Sequence, residues 1–113
     1  MLEEKYISRI YTHIDSRSPG FSLDPVTIIA LVNCVISIAR LLYICYTTEG
    51  RYVAAHNPGP LAKALLKRQV NKNFKHLTKQ DKKNIYNSLL DFGKTLSEKE
   101  IAELTEMKKE TNK

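Results

Sequence analysis

Eight cationic side chains crowd the segment between positions 63 and 83: Lys63, Lys67, Arg68, Lys72, Lys75, Lys79, Lys82 and Lys83. Steps of four place Lys63, Lys67, Asn71 and Lys75 along one line of a helix, with Arg68 and Lys72 beside it. Ala62, Leu66, Val70 and Leu77 form the opposite, apolar arc, with Leu65 and Phe74 at its margins. Lys79, Lys82 and Lys83 carry the positive surface into the next helix. Such a face can meet several phosphates of a nucleic acid at once, each contact releasing counterions. Another polyanion, such as anionic lipid headgroups, is served by the same design. Plain solvation also produces lysine-rich faces. Arg68 is the only arginine in the set, so bidentate reading of bases is not expected. Any nucleic-acid contact here should be electrostatic and weakly dependent on sequence.

The distribution of charge sharpens this reading. Residues 1–60 hold five basic and five acidic side chains, and residues 84–113 hold five and six. Residues 61–83 hold eight basic side chains and only Asp81, so the whole net charge of +6 originates in one segment. A helix-turn-helix built from the last two helices is not expected. Glu98, Glu100, Glu103, Glu106 and Glu110 would turn an acidic surface toward the phosphates.

Other chemistry has little to stand on. His13, His56 and His76 fall in separate elements and show no metal-ligand spacing with either cysteine. There is no phosphate-cradling glycine pattern, no nucleophile elbow and no pair of carboxylates in an apolar setting. The expectation is therefore a protein without catalysis, cofactor or metal. His56-Asn57 stands in a Pro/Gly connection and could touch a ligand, although Asn57 suits a turn ahead of Pro58. Tyr6, Tyr11 and Tyr86 occupy core-facing helical positions, whereas Tyr43 and Tyr46 could sit at an interface.

The elements that must position these residues are helical. Few glycines and prolines, and no sustained alternation of apolar and polar residues, point to an all-α chain. The expected fold is a single domain, a small bundle of about five helices. In residues 2–14, Leu2, Tyr6, Ile10 and Ile14 recur every four positions, with Ile7 and Tyr11 alongside, until "SRSPG" stops the helix. Asp24 can cap a second helix, Pro25 suits its first turn, and Leu23 can staple onto Ile28. That helix is expected to run to about Thr48, roughly 35 Å, and to stop at Glu49-Gly50. Residues 1–48 would then form an N-terminal hairpin and residues 49–60 a Pro/Gly loop. Pro60 opens a helix over residues 61–76, Thr78 caps another that ends at Gly93, and "LSEKEI" (96–101) is a capping box with a staple. Residues 61–107 thus make a basic helix followed by a C-terminal hairpin, and residues 108–113 fray.

The second helix raises its own question. Residues 24–46 read almost like a membrane span, yet Asn33, Ser37 and Arg40 fall on one stripe with Ala30 and Thr47. An arginine at that depth costs about 2.5–3.5 kcal/mol on insertion, which the aliphatic residues roughly cancel. The favoured expectation is a buried hub whose polar stripe (Asn33, Ser37, Arg40) meets a carboxylate or another subunit, with Asp15, Asp91 and Glu49 as candidate partners of Arg40. The alternative is a single-pass anchor with the basic C-terminal half in the cytoplasm. Cys34 and Cys45 lie about 16 Å apart along one helix, too far to pair. Two cysteines without a framework fit an intracellular, reducing compartment or the inside of a particle. The charged N-terminus lacks the apolar core of a signal peptide.

Together these features lead to the expectation of a small structural protein that oligomerises or docks with protein subunits of a larger assembly, such as a virion or other nucleoprotein particle, and turns residues 63–83 toward nucleic acid. A free, non-sequence-specific nucleic-acid-binding module is a further alternative.

Overall fold

A computed structural model describes residues 4–17, 24–42 and 48–111. These form six helices: α1 (Glu4–Arg17), α2 (Pro25–Leu42), α3 (Thr48–His56), α4 (Pro60–Asn73), α5 (Lys79–Lys94) and α6 (Glu98–Thr111). The all-α class is thus established, with six helices where about five were expected.

Local chemistry starts the helices where expected. The Thr27 amide donates to Asp24 Oδ1 at 2.8 Å, and the Asp81 amide donates to Thr78 Oγ1 at 3.1 Å. Pro60 opens α4 behind Gly59. Ser97 and Glu100 exchange both bonds of a capping box: the Ser97 amide to Glu100 Oε1 at 3.0 Å, and the Glu100 amide to Ser97 Oγ at 3.2 Å. The flanking Leu96 and Ile101 are both buried, closing the staple. The staple from Leu23 and the stop at Pro19-Gly20 lie outside the described residues.

Among the described residues the expected long apolar central helix over 24–48 is not seen. The described α2 ends at Leu42, and a separate helix α3 occupies most of the expected 49–60 loop. Gly50 was read as a stop, but a glycine inside a helix costs only ~1 kcal/mol. Burial outweighs it. Ala55 is buried, Tyr52 and Ala54 pack against the core, and α3 rests on α2, α5 and α6. The His56 ring stacks on Tyr52 and holds the Leu96 carbonyl through Nε2 at 2.6 Å. This ring is therefore engaged in structure. The Asn57 amide donates to Val53 O at 2.8 Å and finishes the helix. Gly93 makes the fit possible, because a Cβ there would stand 3.1 Å from the Ala55 carbonyl oxygen.

Nor does any helix among the described residues have the length and apolar character to cross a membrane. At 18 residues α2 spans about 27 Å, against a hydrocarbon core of about 30 Å. One side of it packs inward through Thr27, Ala30, Leu31, Cys34 and Val35. Burial raises the Cys34 thiol to about 12, so it behaves as a small apolar residue. Cys45 lies outside the described residues.

Neighbours in sequence are not the main neighbours in space. The expected N-terminal and C-terminal hairpins give way to longer-range packing: α1 on α5, α2 on α4 and α6. Tyr6, Ile10 and Ile14 of α1 are fully buried, each contributing roughly 1.5–3 kcal/mol. The Tyr6 ring meets Phe92 edge-on at 6.2 Å, and its hydroxyl donates to Glu103 Oε2 at 2.5 Å. Three ion pairs surround this seat. Lys5 reaches Glu103 at 3.4 Å, Arg9 joins Glu100, and Arg17 joins Asp91. Asp91, one of the carboxylates expected for Arg40, thus serves α1.

The hydrogen bond from Tyr6, and then Lys5, holds the Glu103 carboxyl below its ordinary value of 4.5; the Ser97 amide, and then Arg9, does the same for Glu100. A depressed folded-state value means that the contribution is complete above the unfolded value and is lost as pH falls through the folded one. Thermal unfolding should therefore show the protein losing stability as the pH drops below about 4.5. Glu103→Gln should lower the midpoint at pH 7 and make almost no difference at pH 3. An equal deficit at both pH values would show that Glu103 contributes no charge-dependent stability.

Candidate functional site

The basic segment folds into two helices that pack on each other. On α5, positions 79, 82, 83, 86 and 87 recur at three- and four-residue steps, so Lys79, Lys82, Lys83, Tyr86 and Asn87 share one face. On α4, Lys67, Val70 and Asn71 share another. Where these faces meet they line an open groove of about 710 Å³. Val70 is buried and forms part of the apolar floor; Tyr86 is half-buried and packs against the core. Lys67, Lys79 and Lys83 are exposed, and Lys82 is half-buried.

Four of the eight sequence-derived cations, Lys67, Lys79, Lys82 and Lys83, therefore converge on one concavity. Lys63 lies one turn ahead of Lys67 on the same line of α4 and is exposed. Arg68 and Lys72 occupy the adjacent row of α4, and Lys75 stands in the turn that follows it, all three exposed. Two residues escaped sequence reasoning. Asn87 carried no signal by itself, and Tyr86 was assigned wholly to the core. The 79-82-83-86-87 spacing held the clue, because it aligns them with three lysines.

The second predicted site is less coherent. Asn33 is exposed, and Ser37 is half-buried with its hydroxyl donating to the Asn33 carbonyl at 3.0 Å. These two do not form a buried stripe within the chain, because the inward face of α2 is the apolar one. Arg40 belongs to α2, but its side chain lies outside the described residues. Next to Asn33 on the outward face, Val26 and Ile29 are 59% and 62% exposed. Among the described residues no group of three or more His, Cys, Asp or Glu side chains could hold a metal ion.

Electrostatically the molecule has two unlike sides. The cations of α1 are matched with carboxylates of α5 and α6. Among the described residues, none of the eight cations from Lys63 to Lys83 forms an ion pair. Their placement also opposes local helix stability. Lys79 stands at the first position of α5, where the helix dipole favours negative charge. Lys79–Lys83, Lys63–Lys67 and Arg68–Lys72 are like-charge pairs four residues apart, each unfavourable by about 0.2–0.5 kcal/mol. Among the described residues, no ion pair offsets these local costs.

No family model, no curated protein and no solved structure matches this chain. Lys79→Glu should raise stability by about 0.5–1 kcal/mol, because it relieves the dipole and the like-charge pair together. Urea unfolding of parent and variant checks this, and a variant no more stable than the parent would mean that Lys79 is not held against a local cost.

Proposed function

We propose that this is a small, non-catalytic helical protein of a larger assembly, and that its α4–α5 face docks on nucleic acid or another polyanion. The observation that carries the reading is the convergence on one groove of four lysines that form no ion pair among the described residues, with further cations on the rows beside it. Phosphates entering there would offset the mutual repulsion of the lysines and release their own counterions. Lysines act as point charges with rotatable donors, so this recognition is tolerant of sequence. Specific readout is not part of the proposal.

The assembly half of the reading rests on α2. Its outward face presents Val26 and Ile29 beside Asn33, and Val53 and Leu61 elsewhere are also mostly exposed. Large apolar side chains left in water on a helix favour contact with another protein surface or another copy of the chain.

The test is the salt dependence of binding to a labelled 15-nucleotide single strand, followed by fluorescence anisotropy. Each phosphate contact contributes about 0.7 to the slope of log K against log salt for a single strand. Replacing Lys67, Lys79 and Lys83 together with glutamine should therefore lower the slope by about 2. Lys94→Gln with Lys99→Gln, outside the groove, should leave it nearly unchanged. Identical slopes in the groove variant and the parent would overturn the reading.

A further inference from the structure

The groove holds more than charge. Besides Lys67 on the α4 wall and Lys79 and Lys83 on the α5 wall, the groove is lined by a half-buried phenol ring, Tyr86, and two side-chain amides, Asn71 and Asn87. A surface adapted only to the outside of a duplex needs cations on a convex face and nothing else, because paired bases are hidden from it. Here the cations rim a concavity of about 710 Å³, within the roughly 300–1,000 Å³ range of sites that enclose a small organic group. That volume is of the size that suits a single unpaired base.

Resting on the polyanion reading above, we propose that the groove takes single-stranded nucleic acid, with a base stacked on Tyr86 and the flanking phosphates met by Lys67, Lys79 and Lys83. The parts match what such a strand requires. A positively charged groove tracks the backbone, and an aromatic face accepts any base, because every base has a π-face. Asn71 and Asn87 each bring a donor and an acceptor to the edge of a stacked base. Lys63, one turn beyond Lys67, continues the phosphate track past the groove. Tyr86 is also well supported for this work. It packs against the buried core on one side, so its ring is held rather than free to turn away.

The chain contains no tryptophan, so Tyr86→Trp introduces a unique indole at the centre of the groove. Titration with a 15-nucleotide oligo(dT) should quench its fluorescence in step with binding, while the dT·dA duplex of equal length should bind at least about ten-fold more weakly at the same salt. Tyr86→Leu keeps an apolar side chain without a π-face. It should weaken oligo(dT) binding about ten-fold with an unchanged salt slope, and Tyr86→Phe should bind like the parent. Circular dichroism of each variant verifies the fold, and Tyr86→Phe retains the ring whatever happens to the others. Unaltered oligo(dT) affinity in Tyr86→Leu, or a duplex bound as tightly as the single strand, would overturn the proposal. Thymidine monophosphate bound as tightly as the oligonucleotide would replace the strand with a lone nucleotide. Phosphatidylserine vesicles that displace the strand at equal phosphate would replace it with a lipid surface. If the triple lysine variant loses salt dependence while Tyr86→Leu changes nothing, only the single-strand inference falls. If the lysine variant binds like the parent, the polyanion reading falls with it.

Discussion

A buried phenol needs a partner for its hydroxyl, and that need organises much of this molecule. Tyr6 is fully buried and its hydroxyl ends at Glu103, a residue of the last helix. Burying a hydroxyl without a partner costs about 1–3 kcal/mol, so the position of α6 is tied to that of α1. Arg9 extends the tie, since it reaches Glu100 and Thr95 and lies 5.4 Å from the centre of the Phe92 ring. Arg17 adds Ser88 and Asp91 of α5. The first helix thereby closes the structure, and among the described residues no buried side-chain nitrogen or oxygen is left without a partner.

The same contacts bear on the charge balance of α4 and α5. The carboxylates at 91, 100 and 103 pair with α1, and among the described residues none of them pairs with a lysine of the groove. Asp81 is the only acid between positions 61 and 83. Among the described residues the lysines of the groove therefore have no carboxylate partner. The ion pairs that seat α1 and the lysines that line the groove are separate sets of ionisable groups.

Much of this could be read from the sequence, and the parts that could not share a cause. Asp24, Thr78 and the Ser97–Glu100 box are legible because a cap acts within three residues of itself. The apolar face of α1 is legible because Tyr6, Ile10 and Ile14 follow the helical period. Helix α3 was hidden, because Gly50 looks like a stop and only the contacts of Tyr52 and Ala55 with distant elements overrule it. Its seat also depends on Gly93, some forty residues later, which allows close approach to the Ala55 backbone. Likewise the lysines of the site were plain from their spacing, but the groove exists only once α4 and α5 dock. Tyr86 belongs at once to the core and to that groove, and a helical projection assigns a residue to one side or the other.

The long reach of the α1 contacts has a consequence for the chain as it is made. Glu100 and Glu103 follow Arg9 and Lys5 by 91 and 98 residues. At roughly 5–20 residues per second, on the order of 5–20 s of translation separates α1 from the partners that seat it. Throughout that interval Tyr6, Ile10 and Ile14 have no finished pocket, whereas α4 and α5, joined by a short turn, can dock as soon as both have emerged. Helix α1, made before the other described helices, is then among the last of them to be fixed in place, and its apolar face stays open in the nascent chain until α5 and α6 arrive.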